Sequence, residues 1–256
     1  VNPAHQQLRS SVRFEWGLTG TSALSDSRIS VVVDVLSFTT TLSVAADLGI
    51  EVLPYRWRDD SAAEYAAVQN AVLAVGRSEA SQGAVSLSPN TVRSAVGVQR
   101  LVLPSPNGSS IAHSLGASSA ACIGACVRNA SAVAEWIAEN CQNGTAVSVI
   151  AAGERWPDGS LRPSVEDLWG AGAVLTELMR LRPDLTASVE AEVAADAWRA
   201  VRGRFSSALE ECASGRELIG AGYRSDVMVA AEVDESTAVP VLDGDRFINQ
   251  VSTGRT

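Results

Sequence analysis

Lysine is missing altogether: all 20 basic residues of the 256-residue chain are arginine. That excludes a Schiff-base lysine and a P-loop lysine, so any clamp on a phosphate must be arginine, backbone amide or metal. Histidine is nearly missing. His5 and His113 are the only two, too few for a histidine-rich metal site. The four cysteines, Cys122, Cys126, Cys141 and Cys212, match no zinc spacing. At this density they read as reduced, core-packed thiols of an intracellular, cytoplasmic protein. Cys126 lies in a strand-to-helix region, but no histidine near it in sequence would activate it. No apolar run reaches the roughly 18 residues of a membrane span, and no basic stretch leads into an apolar one at the start. Neither a membrane nor a secretion route is expected. Acids outnumber bases 29 to 20, for a net charge of -9. Nucleic acid is therefore not an expected partner, because backbone binding needs a basic surface. A small anion remains open, since a local pocket can be positive within an acidic protein.

What the chain has is apolar residues, 46% of the total, enough for a sizeable core in one large domain or two small lobes. The organising stretch is VVVDVLSFTTT at 31–41. A β-branched run without a breaker reads as a strand covered on both faces. A carboxylate at its end costs several kcal/mol unless it is paired or binds metal. Asp34 is thus either a polar cap on the next turn or an active-site acid at a strand end, where open α/β folds hold ligands.

Alternation at Val12, Phe14 and Trp16 predicts an edge strand, followed by a loop over 17–28. A strand at 31–36 leads to a helix over 41–48 stopped by Gly49, then a strand at 50–53 ended by Pro54. Strand, helix and strand within about 24 residues predict a parallel pair with a right-handed crossover. A helix over 60–75, with Ser61 and Glu64 at capping-box spacing, ends at Gly76. Strands follow at 84–87, 100–103 and 120–123, with a short helix at 109–115. A helix over 130–140 is capped by Asn129, and a nearly pure apolar strand at 146–151 empties into a polar loop, 153–159. Ser164 opens a helix over 165–180. The remainder is more helical, over 191–201 and 205–213, before strands at 227–233 and 239–242. The expected architecture is α/β: a layered, mostly parallel or mixed sheet flanked by helices. Residues 1–182 form the α/β lobe and 183–256 a more helical portion of the same or a second domain. The apolar 191–213 region could cover a partner subunit in a homo-oligomer.

One pattern recurs: an apolar strand ends in a small polar tip and a helix follows. The tips are Asp34 with Ser37 to Thr41, Ser88-Pro89-Asn90, 105–110, Arg128-Asn129 and Gly153-Glu154. Parallel strands would place them all on one sheet edge. Hydroxyls, amides and helix N-termini make an anion cradle. Carboxylates beside it would repel the anion unless a hard cation such as Mg²⁺ lies between. Simpler readings stand beside each residue. Asn107-Gly108 is a tight-turn pair, Asn129 is an N-cap, and Ser164 with Asp167 has capping-box spacing.

Taken together the motifs resemble the 2-phosphosulfolactate phosphatases of the coenzyme M biosynthesis type. The resemblance runs over about 28–245. It is carried by VVVDVLSFTTTLSVAADLG at 31–49, SPNG at 105–108, RNASAVA at 128–134, AAGE at 151–154, SVEDLWGAG at 164–172 and GRELIGAGYRSDV at 215–227. It implies a magnesium-dependent hydrolase splitting 2-phospho-3-sulfolactate into 3-sulfolactate and phosphate. On it, Asp34 and Glu154 look like catalytic acids, and Asp34, Glu154, Glu166 and Asp167 like metal-site carboxylates. Thr39, Thr40, Ser88, Asn107, Gly108 and Asn129 look like contacts to substrate or metal water, with Arg128 and Arg155 holding a sulfonate or carboxylate. Two positions depart from the family pattern: Leu87 stands where an asparagine often precedes Ser-Pro, and Ser105-Pro106 where threonines often precede Asn-Gly. They leave open a phosphatase for another small organic phosphate. A non-catalytic small-anion-binding domain is the remaining alternative.

Overall fold

The computed structural model describes residues 2–57, 59–81, 83–142 and 144–250. Its first half runs β1 (Val12–Trp16), α1 (Gly17–Ala23), β2 (Ile29–Val33), α2 (Phe38–Asp47), β3 (Glu51–Tyr55), α3 (Ser61–Val68), β4 (Val72–Leu73), α4 (Pro89–Arg93), β5 (Arg100–Pro104) and α5 (Gly108–Ser118). The rest runs β6 (Ala121–Ala125), α6 (Ala130–Asn140), β7 (Val147–Ala151), β8 (Glu154–Arg155), β9 (Leu161–Arg162), α7 (Val165–Leu181), α8 (Val189–Val201), α9 (Phe205–Glu211), α10 (Ala213–Gly220), α11 (Arg224–Ala230), β10 (Pro240–Asp243) and β11 (Arg246–Asn249). The fold is α/β, a layered mixed sheet flanked by helices.

Among the described residues nine strands form the sheet in the order β1-β7-β2-β6-β10-β11-β3-β5-β4, with β1 at an edge as expected. β2 is buried along its whole length. Val31 and Val33 face a core built with α6, α7 and α8, while Val32 faces a second core with Phe38, Leu42 and Ile111. Burial on both faces is why this run is continuous rather than alternating.

β1, β7, β2 and β6 are mutually parallel, and so are β3, β5 and β4. The β10–β11 hairpin sits between the groups and is antiparallel to a strand on each side. The groups therefore run in opposite senses, which corrects the expectation of one common strand edge. β2 and β3 are not neighbours either, so the predicted parallel pair does not form. In a flat sheet they would lie four spacings, roughly 19 Å, apart. Yet α5 packs on both, and α2 packs on β6, β11 and β3. These two helices bridge the two groups, and the β5 tip meets the β2 and β7 tips at the start of α5.

Other expectations shift locally. Residues 17–23 form α1, not a loop. The helix predicted over 60–75 stops at Val68, where Asn70 takes φ +50° and the chain turns into β4. Asp60, not Ser61, is its N-cap, without a side-chain cap bond. The 84–87 strand reduces to one bridge between Val75 and Ser86. The 227–233 strand is α11, an apolar run that turns Val227, Val229 and Ala230 inward with Asp226. α7 lies close to the sheet and to α8 through small residues. A Cβ on Gly170 would stand 2.6 Å from Val35, and one on Gly172 would collide with the Ala194 carbonyl. Among the described residues no helix is long and apolar enough to cross a membrane.

Candidate active site

β2 delivers Asp34 into the turn before α2. Thr39 ties that turn: its Oγ1 donates to the Asp34 carbonyl (2.8 Å) and accepts from the Asp34 amide (2.9 Å). Thr40 donates to the Val35 carbonyl (2.7 Å). Both threonines are fully buried, and their hydroxyls hold the backbone that aims Asp34. The carboxylate accepts from the Phe38 amide (3.2 Å), with the Gly108 amide also bonded to it. Asp34 thus sits at the N-termini of α2 and α5, where partial positive charge favours an anion. Gly108 cannot be larger. A Cβ there would overlap the Phe38 ring and stand 2.7 Å from Asp34 Oδ2.

Glu154 arrives from β7. Gly153 turns the chain at φ +64°, a conformation that suits glycine. Glu154 then opens the β8–β9 hairpin, opposite Arg162. Its Oε2 accepts from Asn107 Nδ2 (3.1 Å), and Arg155 Nε donates to Asn107 Oδ1 (3.1 Å). Asn107 therefore links the β5 tip to the β7 tip.

Glu166 and Asp167 come from the first turn of α7 and are both buried. Asp167 does not close a capping box with Ser164, which makes no side-chain cap bond. Asp167 accepts instead from the Val35 amide (2.7 Å) and the Gly153 amide (2.9 Å), binding the two tips together. Glu166 receives the Cys212 thiol at 3.6 Å.

Few of these charges are compensated. Burial first, then repulsion from Glu154 and Glu166, pushes Asp34 up to about 7 against the pull of the two amides. Burial, Asp34 and Glu166 hold Asp167 well above the usual carboxylate range. Burial raises Glu154, Arg162 lowers it, and Glu166 and Glu217 raise it further. Acids that repel one another inside a protein are the electrostatic signature of a functional cluster.

A cavity of about 500 Å³ opens over Asp34, Asn107 and Glu154. Arg77, Arg155 and Arg162 line it, with Ser37, Ser105, Ser214 and Glu217; Leu36, Phe38 and Leu87 supply apolar wall. Three arginines and three carboxylates around one hollow suit a multiply charged anion that meets a cation. The donors are oxygens, which fits a hard ion such as Mg²⁺. Among the described residues no three or more His, Cys, Asp or Glu side chains converge as a metal site. Mg²⁺ needs only one or two carboxylates beside substrate phosphate and water, so the residues present are sufficient.

Not every expected residue reaches the cavity. Arg128 is buried among Ser43 (2.7 Å), Asp47 (3.1 Å) and Glu232 (2.9 Å). Asn129 is not a side-chain cap: it accepts from the Cys126 amide and donates to the Gly124 and Ala238 carbonyls. Ser88 donates to Asp226 behind the wall. In their place the structure brings Arg77, Arg162, Ser214 and Glu217, which sequence reasoning missed. Ser214 and Glu217 belong to α10, and the only signal for that helix was the 215–227 segment.

The 2-phosphosulpholactate phosphatase family matches residues 18–245. The chain belongs to that family. It is also 26% identical over 230 residues to a probable 2-phosphosulfolactate phosphatase of Pseudothermotoga lettingae, covering 89% of this chain and 95% of that protein. Membership in the 2-phosphosulfolactate phosphatase family supports a phosphatase-type hydrolase activity toward a small phosphorylated anion.

Proposed function

We propose that the protein is a magnesium-dependent phosphatase that hydrolyses 2-phospho-3-sulfolactate to 3-sulfolactate and phosphate. The observation that carries this reading is the cavity itself. It joins Asp34 and Glu154 to three arginines, and the substrate carries three anionic groups.

Asp34 is pinned by two amides, so it is an oriented oxygen ligand. It would hold Mg²⁺, with Glu154, Glu166 and Asp167 supplying the surrounding negative potential. The ion would offset phosphate charge and the repulsion among the acids. Glu154 has a longer arm and a raised affinity for protons, which suits a general base. It takes a proton from water as that water attacks phosphorus and the bond to the C2 oxygen breaks. The departing alkoxide is protonated by solvent, to which the cavity is open. Direct attack by water is favoured over an aspartyl intermediate, because position 36, where a second acid would assist Asp34, is leucine. Asn107, in the cavity wall just before α5, offers its side-chain amide to the equatorial oxygens, where charge develops.

A second reading has structural support. Leu87, Ser105 and Pro106, the departures from the family pattern, all line the cavity. A phosphatase for a different small organic phosphate would place its specificity there. The test is phosphate release from racemic 2-phospho-3-sulfolactate, phospholactate and phosphoglycolate, with Mg²⁺ and with chelator. Magnesium-dependent release from the first is expected. Release from the others alone would keep the phosphatase and discard the substrate, and no release from folded protein would favour the anion-binding alternative.

A further inference from the structure

Of the three arginines lining the cavity among the described residues, Arg77 is the one ion-paired with a buried carboxylate. Its Nε donates to Asp226 Oδ2 at 2.8 Å and its Nη2 to Ser37 Oγ. Asp226 is buried, and its other oxygen accepts from Ser88 Oγ. The Tyr223 ring lies 5.8 Å from the guanidinium carbon. A planar guanidinium fixed at two of its nitrogens has its remaining donors aimed in advance.

Its place in the cavity differs from that of the other arginines. A hollow of about 270 Å³ borders the cavity and shares Asn107, Glu154 and Arg155 with it. Another of about 660 Å³ borders it elsewhere and shares Arg77, Leu87 and Pro104. Among the described residues the two hollows share none, so Arg77 and the Glu154–Arg155 group lie in different parts of the cavity. Arg155 is tied to Asn107, and Arg162 stands opposite Glu154 in the hairpin. Those two belong to the Glu154 end, where the proposed general base directs water at the phosphoryl group. Arg77 is paired with Asp226, so the pair adds oriented hydrogen-bond donors with little net charge. That suits a singly charged oxyanion better than a dianionic phosphoryl group.

We propose that Arg77, positioned by Asp226 and Ser88, recognises the sulfonate of the substrate and so sets which organic phosphate the cavity accepts. This rests on the phosphatase reading and assigns one end of its substrate. Asp226 and Ser88 act through Arg77 and are positioning residues. Ser88, expected from the sequence to touch substrate, is one step behind the contact.

The test compares 2-phospho-3-sulfolactate with 2-phospholactate, which lacks the sulfonate, in native protein, Arg77→Lys and Asp226→Asn. Arg77→Lys leaves a cation beside Asp226 but loses the fork. The double variant Arg77→Gln/Asp226→Asn removes both charges and serves if the single change does not fold, since it leaves no buried charge alone. The native preference for the sulfonated substrate, as a ratio of kcat/KM, should fall by about tenfold to a hundredfold in Arg77→Lys, mostly through KM. A smaller fall in the same ratio is expected in Asp226→Asn. An unchanged ratio in a folded Arg77 variant would overturn the proposal. If no organic phosphate is turned over, the phosphatase reading fails separately, and calorimetry with 3-sulfolactate against lactate decides. Sulfonate-dependent binding lost in the Arg77 variant supports the role; sulfonate-dependent binding that survives there, or is missing from native protein, refutes it.

Discussion

Asp34 is a buried acid that the fold holds at a cost. Its pKa rises from the usual 3.8 to about 7, so between those values the folded chain binds more protons than the unfolded one. Stability must therefore fall as pH rises through that window, with Asp34's contribution fully present below about pH 4 and lost above about pH 7. Thermal unfolding of metal-free protein at a series of pH values should show this slope, on the order of a few kcal/mol at most. Asp34→Asn should flatten it. Gly108 gives a second test at the same scale. Gly108→Ala would push a methyl group against Phe38 and Asp34. A loss of about 1–3 kcal/mol by urea unfolding is expected, together with weakened activity, because the displaced atom is the carboxylate oxygen itself.

Among the elements, α7 carries two duties: its first turn presents Glu166 and Asp167, and its middle packs on the sheet and α8. Gly172→Ala should force the helices apart at the Ala194 carbonyl. A lower urea midpoint with an unchanged slope is expected, about 1–3 kcal/mol. Elements of this kind were largely legible in the sequence. The valine run, the hydroxyls after Asp34 and the helical period beyond them point to β2, the turn and α2. α6 and α7 follow from their apolar periods. Elements whose state depends on distant packing were not legible. α1 contains two glycines among small residues, a poor helix by propensity, and it forms where it packs on α5 and β1. The 227–233 run has no period that separates helix from strand. Arg77 follows a turn like any surface arginine, and its meaning depends on Asp226, which is 149 residues away.

For the molecule as a whole, packing across the two strand groups makes the site, because α5 packs on both β2 and β3 and starts at the Asn107 tip beside Asp34 and Glu154. No local pattern encodes that meeting, since the hairpin joining the two groups is built from nearly the last described residues. Binding linkage gives a prediction at this scale. A cation held only by the folded chain must stabilise it. Mg²⁺ should raise the Tm of native protein in a concentration-dependent way, chelator should reverse the rise, and Asp34→Asn should show little of it. The most direct test of the strand-tip site is magnesium-dependent phosphate release from 2-phospho-3-sulfolactate by native protein and by folded Asp34→Asn, measured side by side. The expected result is a fall of about a hundredfold or more in kcat, the range in which loss of a key electrostatic group is felt. Native-like release from Asp34→Asn would contradict the placement of the chemistry at the end of β2.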